Sequence, residues 1–267
     1  WKKRQKILLE KKENVTEWMV DFISHYFNNL HITLVGQYNP HKEQIGGIEV
    51  YLKNLDEQLK KENLETLILG WSDTEIQEKN FISILKSKKV KGAIFTVFLF
   101  IKAPFIKIPK NSIIHVQRPD HVLPFLLRKN KIVCSLHGRH VQNVEMKKGK
   151  IISFLYKYLQ KIGLKRADLI FPVANDTLDY FEARYPFIKK KSYLNPPGIN
   201  KIFKPLNKYD LREKNGFTIN ENIILYIGRI DKEKNVDFMI SQLKDIDAKF
   251  LIVGSGNIDI KGQLNTI

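Results

Sequence analysis

The sequence predicts an α/β protein in which parallel strands carry helices on both faces. Short runs rich in Ile, Val and Leu alternate with longer amphipathic stretches, which is typical of that class. Twice, at Gly46-Gly47 and at Gly228-Arg229, a glycine turn follows a strand-like run and opens a helix. The turn-rich segment 195–198 separates a first α/β series from a second one. We therefore predict an N-terminal Rossmann-like domain with a parallel sheet, followed by the first part of a second Rossmann-like domain.

The individual elements follow from the apolar runs and the helical spacing between them. In the first series we expect strands at 31–37, 66–69, 92–97, 112–116, 131–136, 169–173 and 191–194. Helices are expected between them at 47–62, 74–88, 121–128, 151–166 and 176–185. The longest apolar run, 93–101, is too short for a bilayer span of about 20 residues and is interpreted as a buried central strand.

The second series has the same alternation over a shorter length. It predicts a helix at 206–216, a strand at 222–227, a helix at 235–243 and a strand at 249–253. The resulting domain prediction is an amphipathic extension at 1–29, a Rossmann-like domain at 30–195, a linker at 196–206 and an incomplete second domain at 207–267. Because the chain begins with Trp1 and ends soon after a strand and a turn, we expect it to be a fragment.

Composition limits the class of partner. The net charge of +17 and a sequence pI of about 9.7 indicate an anionic partner, such as a phosphate-rich ligand, an acidic membrane or nucleic acid, although a bias toward Lys, Asn and Ile explains part of the excess. No helix-turn-helix, zinc-finger or RNA-recognition signature is found, so nucleic acid is not favoured. The single cysteine, Cys134, excludes an intrachain disulfide and is interpreted as a buried strand thiol. No signal peptide, metal site or cofactor is predicted.

Two segments combine apolar and basic residues at helical spacing. In the extension, residues 15–27 have an apolar face preceded by six lysines and arginines. The predicted helix 151–166 has an apolar face flanked by lysines. Such helices either lie on an anionic membrane surface or pack on the domain with a solvated basic side, and both alternatives stay open.

Six segments in order carry a resemblance to one family. They are GGIEVYLKNLDEQLKKEN, VCSLHGRH, ADLIFPVANDTLDYF, NPPGINKIFKP, ILYIGRIDKEKNVDFMI and KFLIVGSGN. Together they resemble the family 4 retaining glycosyltransferases from about His31 to the C-terminus, while the first thirty residues are not covered. The resemblance implies the GT-B fold, in which two Rossmann-like domains face each other across a cleft. It also implies transfer of a sugar from a nucleotide diphosphate with retention of anomeric configuration.

The resemblance also implies roles for particular residues. As the bond to the diphosphate breaks, negative charge grows on the leaving oxygens, and fixed cations aimed there lower the barrier. Arg229 and Lys234, with Gly228 in the turn before them, would bind the donor diphosphate. His137 directly follows a predicted strand and would contact the transferred sugar and the transition state, without acting as a general base.

Glycines mark two further places where a ligand could approach the backbone. Gly46 and Gly47 open a helix whose N-terminus favours an anion by up to about 2 kcal/mol, so they are predicted to form a phosphate or acceptor loop. Glu49 is expected to support the helix start. Gly254 and Gly256 lie near the nucleotide if they serve binding, and a simple tight turn explains them nearly as well.

The predicted reaction is transfer of a hexose from UDP or GDP to a lipid-linked or polysaccharide acceptor. The enzyme is expected in the cytoplasm, on the inner face of the membrane if it is peripheral. The family has two glutamates separated by seven residues in its second domain, and no glutamate follows Gly254 here, so we expect the chain as given to transfer no sugar. The alternatives are a non-catalytic anion- or nucleic-acid-binding Rossmann protein and a degenerate glycosyltransferase that serves as a partner subunit.

Overall fold

The computed structural model describes residues 31–42, 46–76, 78–88, 90, 92–138, 140–198, 203–230, 234–254 and 256. The predicted amphipathic helix in 1–29 lies outside these residues. The chain divides into two compact units, Trp1–Asn200 and Lys201–Ile267. The domain boundaries drawn from the sequence stay a prediction, and each unit is described by itself below.

The first unit is an α/β structure with a parallel sheet, as predicted, and the sheet has six of the seven strands that were expected in number. The sheet order is β3-β2-β1-β4-β5-β6, the order of the dinucleotide-binding doubly wound fold. Its strands are β1 (His31–Val35), β2 (Glu65–Ser72), β3 (Phe81–Lys86), β4 (Ile113–Val116), β5 (Lys131–Leu136) and β6 (Leu169–Pro172). Its helices are α1 (Gly47–Lys61), α2 (Gly92–Lys102), α3 (His140–Arg166) and α4 (Asn175–Arg184), with 3₁₀ helices at Ala103–Phe105, Pro119–Phe125 and Pro186–Ile188.

Both faces of the sheet are covered because the central strands are apolar on both sides. On one face, α1 buries Leu52, Leu55 and Leu59 against a core that includes Ile32 and Leu34. On the other face, a second core joins Phe95 and Leu99 of α2, Leu164 of α3 and Phe181 of α4 to Ile114 of β4. This two-sided burial is what a parallel sheet requires. Because all six strands run in the same direction, their carboxyl ends lie at one edge of the sheet.

Several elements agree with the sequence-based expectations to within a few residues. The predictions for β1, β2, β4, β5 and β6 are confirmed, and so are those for α1 and α4. The predicted helix 151–166 is the second part of α3, because Gly149 interrupts that helix with φ of 81°. Glycine suits this position because a side chain would strain a left-handed backbone.

The predicted strand at 92–97 is wrong, because this segment forms helix α2. Phe95 and Leu99, four residues apart, are its fully buried side chains, and the Thr96 hydroxyl oxygen lies 3.0 Å from the Gly92 carbonyl oxygen. An apolar run cannot by itself distinguish a buried strand from a helix, and nine residues exceed the usual strand length. The run is apolar on the side that faces away from the sheet as well, which hid its helical spacing.

The predicted helix at 74–88 is also wrong, because Phe81–Lys86 forms the edge strand β3. It pairs in parallel with β2, with an irregularity between Gly70 and Trp71. The backbone N–H of Ile68 donates to the Asn80 carbonyl at 2.7 Å, where this pairing begins. Tertiary pairing with β2 therefore overrides the local helical pattern of the charged residues before it.

Two smaller differences concern segments outside the six strands of the sheet. In place of the predicted helix 121–128 there is a 3₁₀ helix, Pro119–Phe125, since Pro124 has no N–H for an α-helical bond. The predicted strand 191–194 makes one isolated bridge, between Ile170 and Ser192, although the Tyr193 N–H also donates to the Ile170 carbonyl at 2.9 Å. The segment thus follows β6 without extending the sheet.

The described part of the second unit contains one βαβ arrangement. Strand β7 (Ile223–Ile227) pairs in parallel with β8 (Lys249–Val253), and α6 (Val236–Leu243) lies between them in the chain. A short helix, α5 (Lys208–Lys214), precedes β7 and is capped by the Asn207 side chain. These four elements agree with the predicted ones to within two residues.

Candidate functional site

The carboxyl edge of the first unit's sheet brings several polar side chains together. β1 is central, and the chain moves outward from it in one direction to β2 and β3 and in the other to β4, β5 and β6. Open α/β sheets bind ligands at such a change of direction, beyond the carboxyl ends of the strands. Gly36 follows β1 there, Gln117 and Arg118 follow β4, and His137 follows β5.

His137 is half-buried and held from two sides. Its Nε2 lies 2.8 Å from Oε1 of Gln117, so the ring nitrogen donates to the amide oxygen. The Tyr51 ring of α1 contacts the imidazole edge-to-face, with 4.8 Å between the ring centroids. These contacts fix the ring orientation that contact with a ligand would need. The buried amide nitrogen of Gln117 has no hydrogen-bond partner among the described residues, which leaves a donor beside His137.

A buried chain of hydroxyls and imidazole lies behind His137. The Tyr51 hydroxyl is 3.4 Å from Oγ of Ser135, and the same Oγ is 2.8 Å from Nε2 of His115. Burial raises the pKa of Tyr51 to about 12, although hydrogen bonds with Ser135 and Asn195 oppose the rise. Burial, and then the nearby charge of His137, lower the pKa of His115 to about 3. Both groups are therefore uncharged near neutral pH, and they form a fixed, neutral support for the site.

The predicted glycine loop borders a pocket of about 280 Å³. The pocket is lined by Gly46, Gly47, Val50, Tyr51, Asn54, Pro197 and Gly198. Tyr51 thus lines the pocket and also contacts His137. The structure therefore groups Gly46, Gly47 and His137 around one tyrosine, at the edge where the sequence placed them.

Glu49 lies over the start of α1. A Cβ atom added at Gly46 would collide with the Glu49 carboxylate, which shows how closely that group folds back onto the Gly46 backbone. Gly46 is the N-cap residue and has no side chain to cap the helix, so the carboxylate faces the positive end of the helix. The expectation that Glu49 supports the helix start agrees with this position. It also means that an anion bound at this helix end must displace the carboxylate.

Gly47 differs from Gly46 in its surroundings. A Cβ atom at Gly47 would meet nothing within 4 Å, and its φ is outside the left-handed region. Neither packing nor backbone conformation therefore explains a glycine here, at the first position of α1. Close approach of a ligand to the backbone would explain it, and the role of Gly47 in a phosphate or acceptor loop stays a prediction.

A second polar cluster, which sequence reasoning missed, surrounds Asp120. Arg118 donates to both carboxylate oxygens at 3.0 and 2.8 Å, and the hydroxyls of Thr96 and Tyr156 donate to them at 3.0 and 2.9 Å. Burial alone would raise the pKa of Asp120, but the charges of His121 and Arg118 and the hydrogen bonds hold it below its usual range. The cluster ties α2, α3 and the end of β4 together, and it places a guanidinium beside Gly92 and Gln37 at the same sheet edge.

The predicted diphosphate residues belong to the second unit. Gly228 and Arg229 follow β7, and Lys234 precedes α6; both cations are exposed. A Cβ atom at Gly254 would collide with the Gly228 carbonyl, and one at Gly256 with the Ile230 carbonyl. Close approach of two backbone segments therefore explains both later glycines, and their role near a nucleotide stays a prediction.

Within the described part of the chain no group of three or more His, Cys, Asp or Glu side chains is placed to hold a metal ion. None of the helices described there is long and apolar enough to cross a membrane.

A comparison with protein families shows the class of protein to which this chain belongs. The model of Glycosyltransferase Family 4 matches residues 45–201, more than half of the chain, so the chain belongs to that family. The match includes Gly46, Gly47 and His137 and ends before Arg229.

Individual relatives agree with this assignment. An uncharacterized glycosyltransferase of Methanocaldococcus jannaschii is 26% identical over 230 residues, which are 80% of this chain and 57% of that protein. Among solved structures, WaaG, a glycosyltransferase involved in lipopolysaccharide biosynthesis, has a TM-score of 0.56 at 14% identity and is matched over 85% of this chain and 64% of its own. TarM from S. aureus has a TM-score of 0.43 at 15% identity, over 63% of this chain and 34% of its own. The likeness to WaaG confirms the predicted GT-B fold class, and this chain spans less than two thirds of each relative.

Proposed function

We propose that the whole protein is a retaining glycosyltransferase that moves a hexose from a UDP or GDP donor to a lipid-linked or polysaccharide acceptor. The observation that carries the proposal is the grouping of Gly46, Gly47, Tyr51 and His137 at one sheet edge within the region that matches the family. Transfer of a sugar from a nucleotide diphosphate needs a neutral, oriented side chain that contacts the sugar and fixed positive charge at the leaving diphosphate.

In this proposal the two units supply different contacts. His137, oriented by Gln117 and Tyr51, contacts the hexose. Arg229 and Lys234 bind the diphosphate, the first through a bidentate guanidinium and the second through a point charge. With these cations at the leaving group the proposed transfer uses no metal ion or other cofactor. Gly254 and Gly256 are proposed to lie near the nucleotide.

The proposed cellular setting is the cytoplasm, with the acceptor reached at the inner face of the membrane. The segment 254–267 contains no glutamate, so we propose that residues 1–267 by themselves transfer no sugar. Robust turnover by this chain, measured as UDP or GDP release with a matching acceptor, would overturn that last point.

The experiment compares sugar nucleotides with free nucleotides by isothermal titration calorimetry. UDP-glucose, UDP-N-acetylglucosamine and GDP-mannose are titrated into the chain and into its His137→Ala variant, with UDP and GDP as controls. The proposal predicts that His137→Ala weakens binding of the preferred sugar nucleotide about tenfold and leaves binding of the free nucleotide unchanged. Equal loss for both ligands would contradict a sugar contact, and no binding of any nucleotide would contradict the proposed function.

A further inference from the structure

The basic excess of the chain lies in one stretch. Residues 79–167 contain 20 lysines and arginines and two acidic residues, Asp120 and Glu145. Their net charge of +18 exceeds the +17 of the whole chain, so the remaining residues are nearly neutral. Asp120 is itself buried and bound to Arg118. The stretch runs along the first unit from β3 to α3 and gives that part of the chain a strong excess of positive charge, although Lys131 and Arg166 pair with Asp168 just beyond it.

Helix α2, inside this stretch, turns a mainly apolar face to solvent. Its exposed residues are Ala93, Ile94, Val97, Phe98, Phe100, Ile101 and, at its C-terminal end, Lys102. Phe100 and Ile101 are each 57% exposed, and Val97 is 56% exposed. A helix that is apolar all round is normally covered on every side. Here the sheet covers one side only.

The described second part of α3 has an inverted pattern. Ser153 and Gln160 are fully buried, whereas Ile151 is 87% exposed and Phe154 is 75% exposed. Lysines flank the exposed apolar side chains at positions 150, 157, 161 and 165. The fold thus buries Ser153 and Gln160 of this helix and leaves Ile151 and Phe154 in contact with solvent, the reverse of what water alone would select for these four side chains.

The two helices present these faces on the same side of the protein. Thr96 of α2 and Tyr156 of α3 donate to the same carboxylate, that of Asp120. Phe95 of α2 and Leu164 of α3 belong to one core on one face of the sheet. Their opposite, exposed faces therefore lie on the outer side of one layer, and we call them together the α2–α3 surface.

We propose that the α2–α3 surface docks on an anionic lipid bilayer, with its aromatic and aliphatic side chains in the interfacial region and its lysines at the lipid phosphates. A second copy of the chain is a poor occupant, because it would bring two strongly positive regions together. A nucleic acid would match the charge but would leave the apolar side chains in water. An anionic bilayer satisfies both the charge and the apolar area.

The geometry fits a helix that lies in the membrane plane. Helix α2 has 11 residues, about half of what a bilayer span needs. A lipid-linked acceptor gives this surface its purpose, and in that respect the docking rests on the proposed function. The vesicle experiment below contains no sugar nucleotide and no acceptor, so the two proposals fail separately.

The test is cosedimentation of the full chain with vesicles of phosphatidylcholine, with and without about 30% phosphatidylglycerol. We expect binding to the anionic vesicles to be at least about tenfold stronger than binding to the neutral ones. Phe154→Ser should weaken anionic binding about fivefold to tenfold. The matched control is Phe238→Ser on α6, where the side chain is 66% exposed and lies outside the basic stretch. It should bind as the parent does.

A second measurement reports insertion directly and does not depend on a loss of binding. Cys134 is buried and burial raises the pKa of its thiol, so an environment-sensitive dye on Phe154→Cys labels one position. Its emission should shift to the blue with anionic vesicles, while the dye on Phe238→Cys should not respond.

Three results would overturn the proposal. The first is equal vesicle binding by the parent and Phe154→Ser together with an unresponsive dye. The second is tight binding of a DNA duplex by a chain that ignores anionic vesicles. The third is a stable dimer that Phe154→Ser dissociates, which would show that a second copy covers the surface.

Discussion

Gly47→Ala separates the two reasons that a glycine can have for its position. A methyl group there would meet no protein atom within 4 Å, and the residue is the first of α1. If the fold alone mattered, alanine would be the better residue, because it loses less backbone entropy on folding and favours helix. If a ligand approaches the backbone, the same methyl group obstructs it.

The expected stability change follows from the open surroundings. Gly→Ala at a compatible position stabilises by about 0.4–1 kcal/mol, roughly a twofold to fivefold gain in the folding equilibrium constant. For a unit of this size that corresponds to a rise in Tm of about 1–4 °C. Binding of the sugar nucleotide should weaken about tenfold or more, since Gly47 lines the same pocket as Gly46 and Tyr51 and a methyl group there obstructs close approach to the backbone.

The assay combines urea unfolding with calorimetric titration of the preferred sugar nucleotide. Gly216→Ala is the matched control, because Gly216 also has open space around its Cβ position but has φ of +72°. It should destabilise by about 1 kcal/mol and leave binding unchanged. Loss of stability in Gly47→Ala would show that the fold requires this glycine, and unchanged binding would remove it from the site.

Three further predictions test the support of the site. Burial lowers the pKa of His115 to about 3, so between pH 6.5 and 3 the unfolded chain binds a proton that the folded chain does not. The free energy of unfolding therefore decreases as the pH is lowered through this range. His115→Gln should therefore remove a stability loss of about 1.4 kcal/mol per pH unit below about pH 6.5 in urea titrations, and an unchanged slope would contradict the neutral state of His115. Asp120→Asn should cost about 3–5 kcal/mol because it leaves the Arg118 guanidinium without its carboxylate, and a loss below 1 kcal/mol in urea unfolding would contradict the role of the cluster. Glu49→Gln should raise the affinity for inorganic pyrophosphate severalfold in calorimetry, because the carboxylate no longer competes at the start of α1; weaker binding would show that Glu49 assists the anion.

Local signals were sufficient for much of the fold. β5 and β8 begin and end at the predicted residues, because each is a short β-branched run bounded by polar residues or a glycine. Helix α1 has glycine at its start and basic residues in its last turn, both visible in the sequence. The sequence predicted a strand where α2 lies and a helix where β3 lies. Each segment takes its conformation from packing or pairing with residues that are distant in sequence, and the solvent-facing side of α2 is also apolar.

The site was predictable only residue by residue. His137 and Gly47 follow from motifs, and the carboxyl-edge rule would also have found Gln117 and Arg118 directly after β4. The contact of His137 with Gln117 joins residues from two neighbouring strands, and the order of those strands is a property of the whole sheet. The packing reason for Gly254 likewise depends on the pairing of β7 with β8.

In the proposed function the chain binds the diphosphate of a sugar nucleotide through Arg229 and Lys234. The most direct test is calorimetric titration of UDP and GDP into the parent chain and into Arg229→Ala and Lys234→Ala, in the presence and absence of excess EDTA. Lys244→Ala, an exposed cation just after α6, is the control. We expect the parent chain to bind one of the two nucleotides with an affinity that EDTA does not change. Arg229→Ala and Lys234→Ala should each weaken this binding at least about tenfold, and Lys244→Ala should leave it unchanged. Equal binding by all four proteins, or binding that EDTA abolishes, would contradict it.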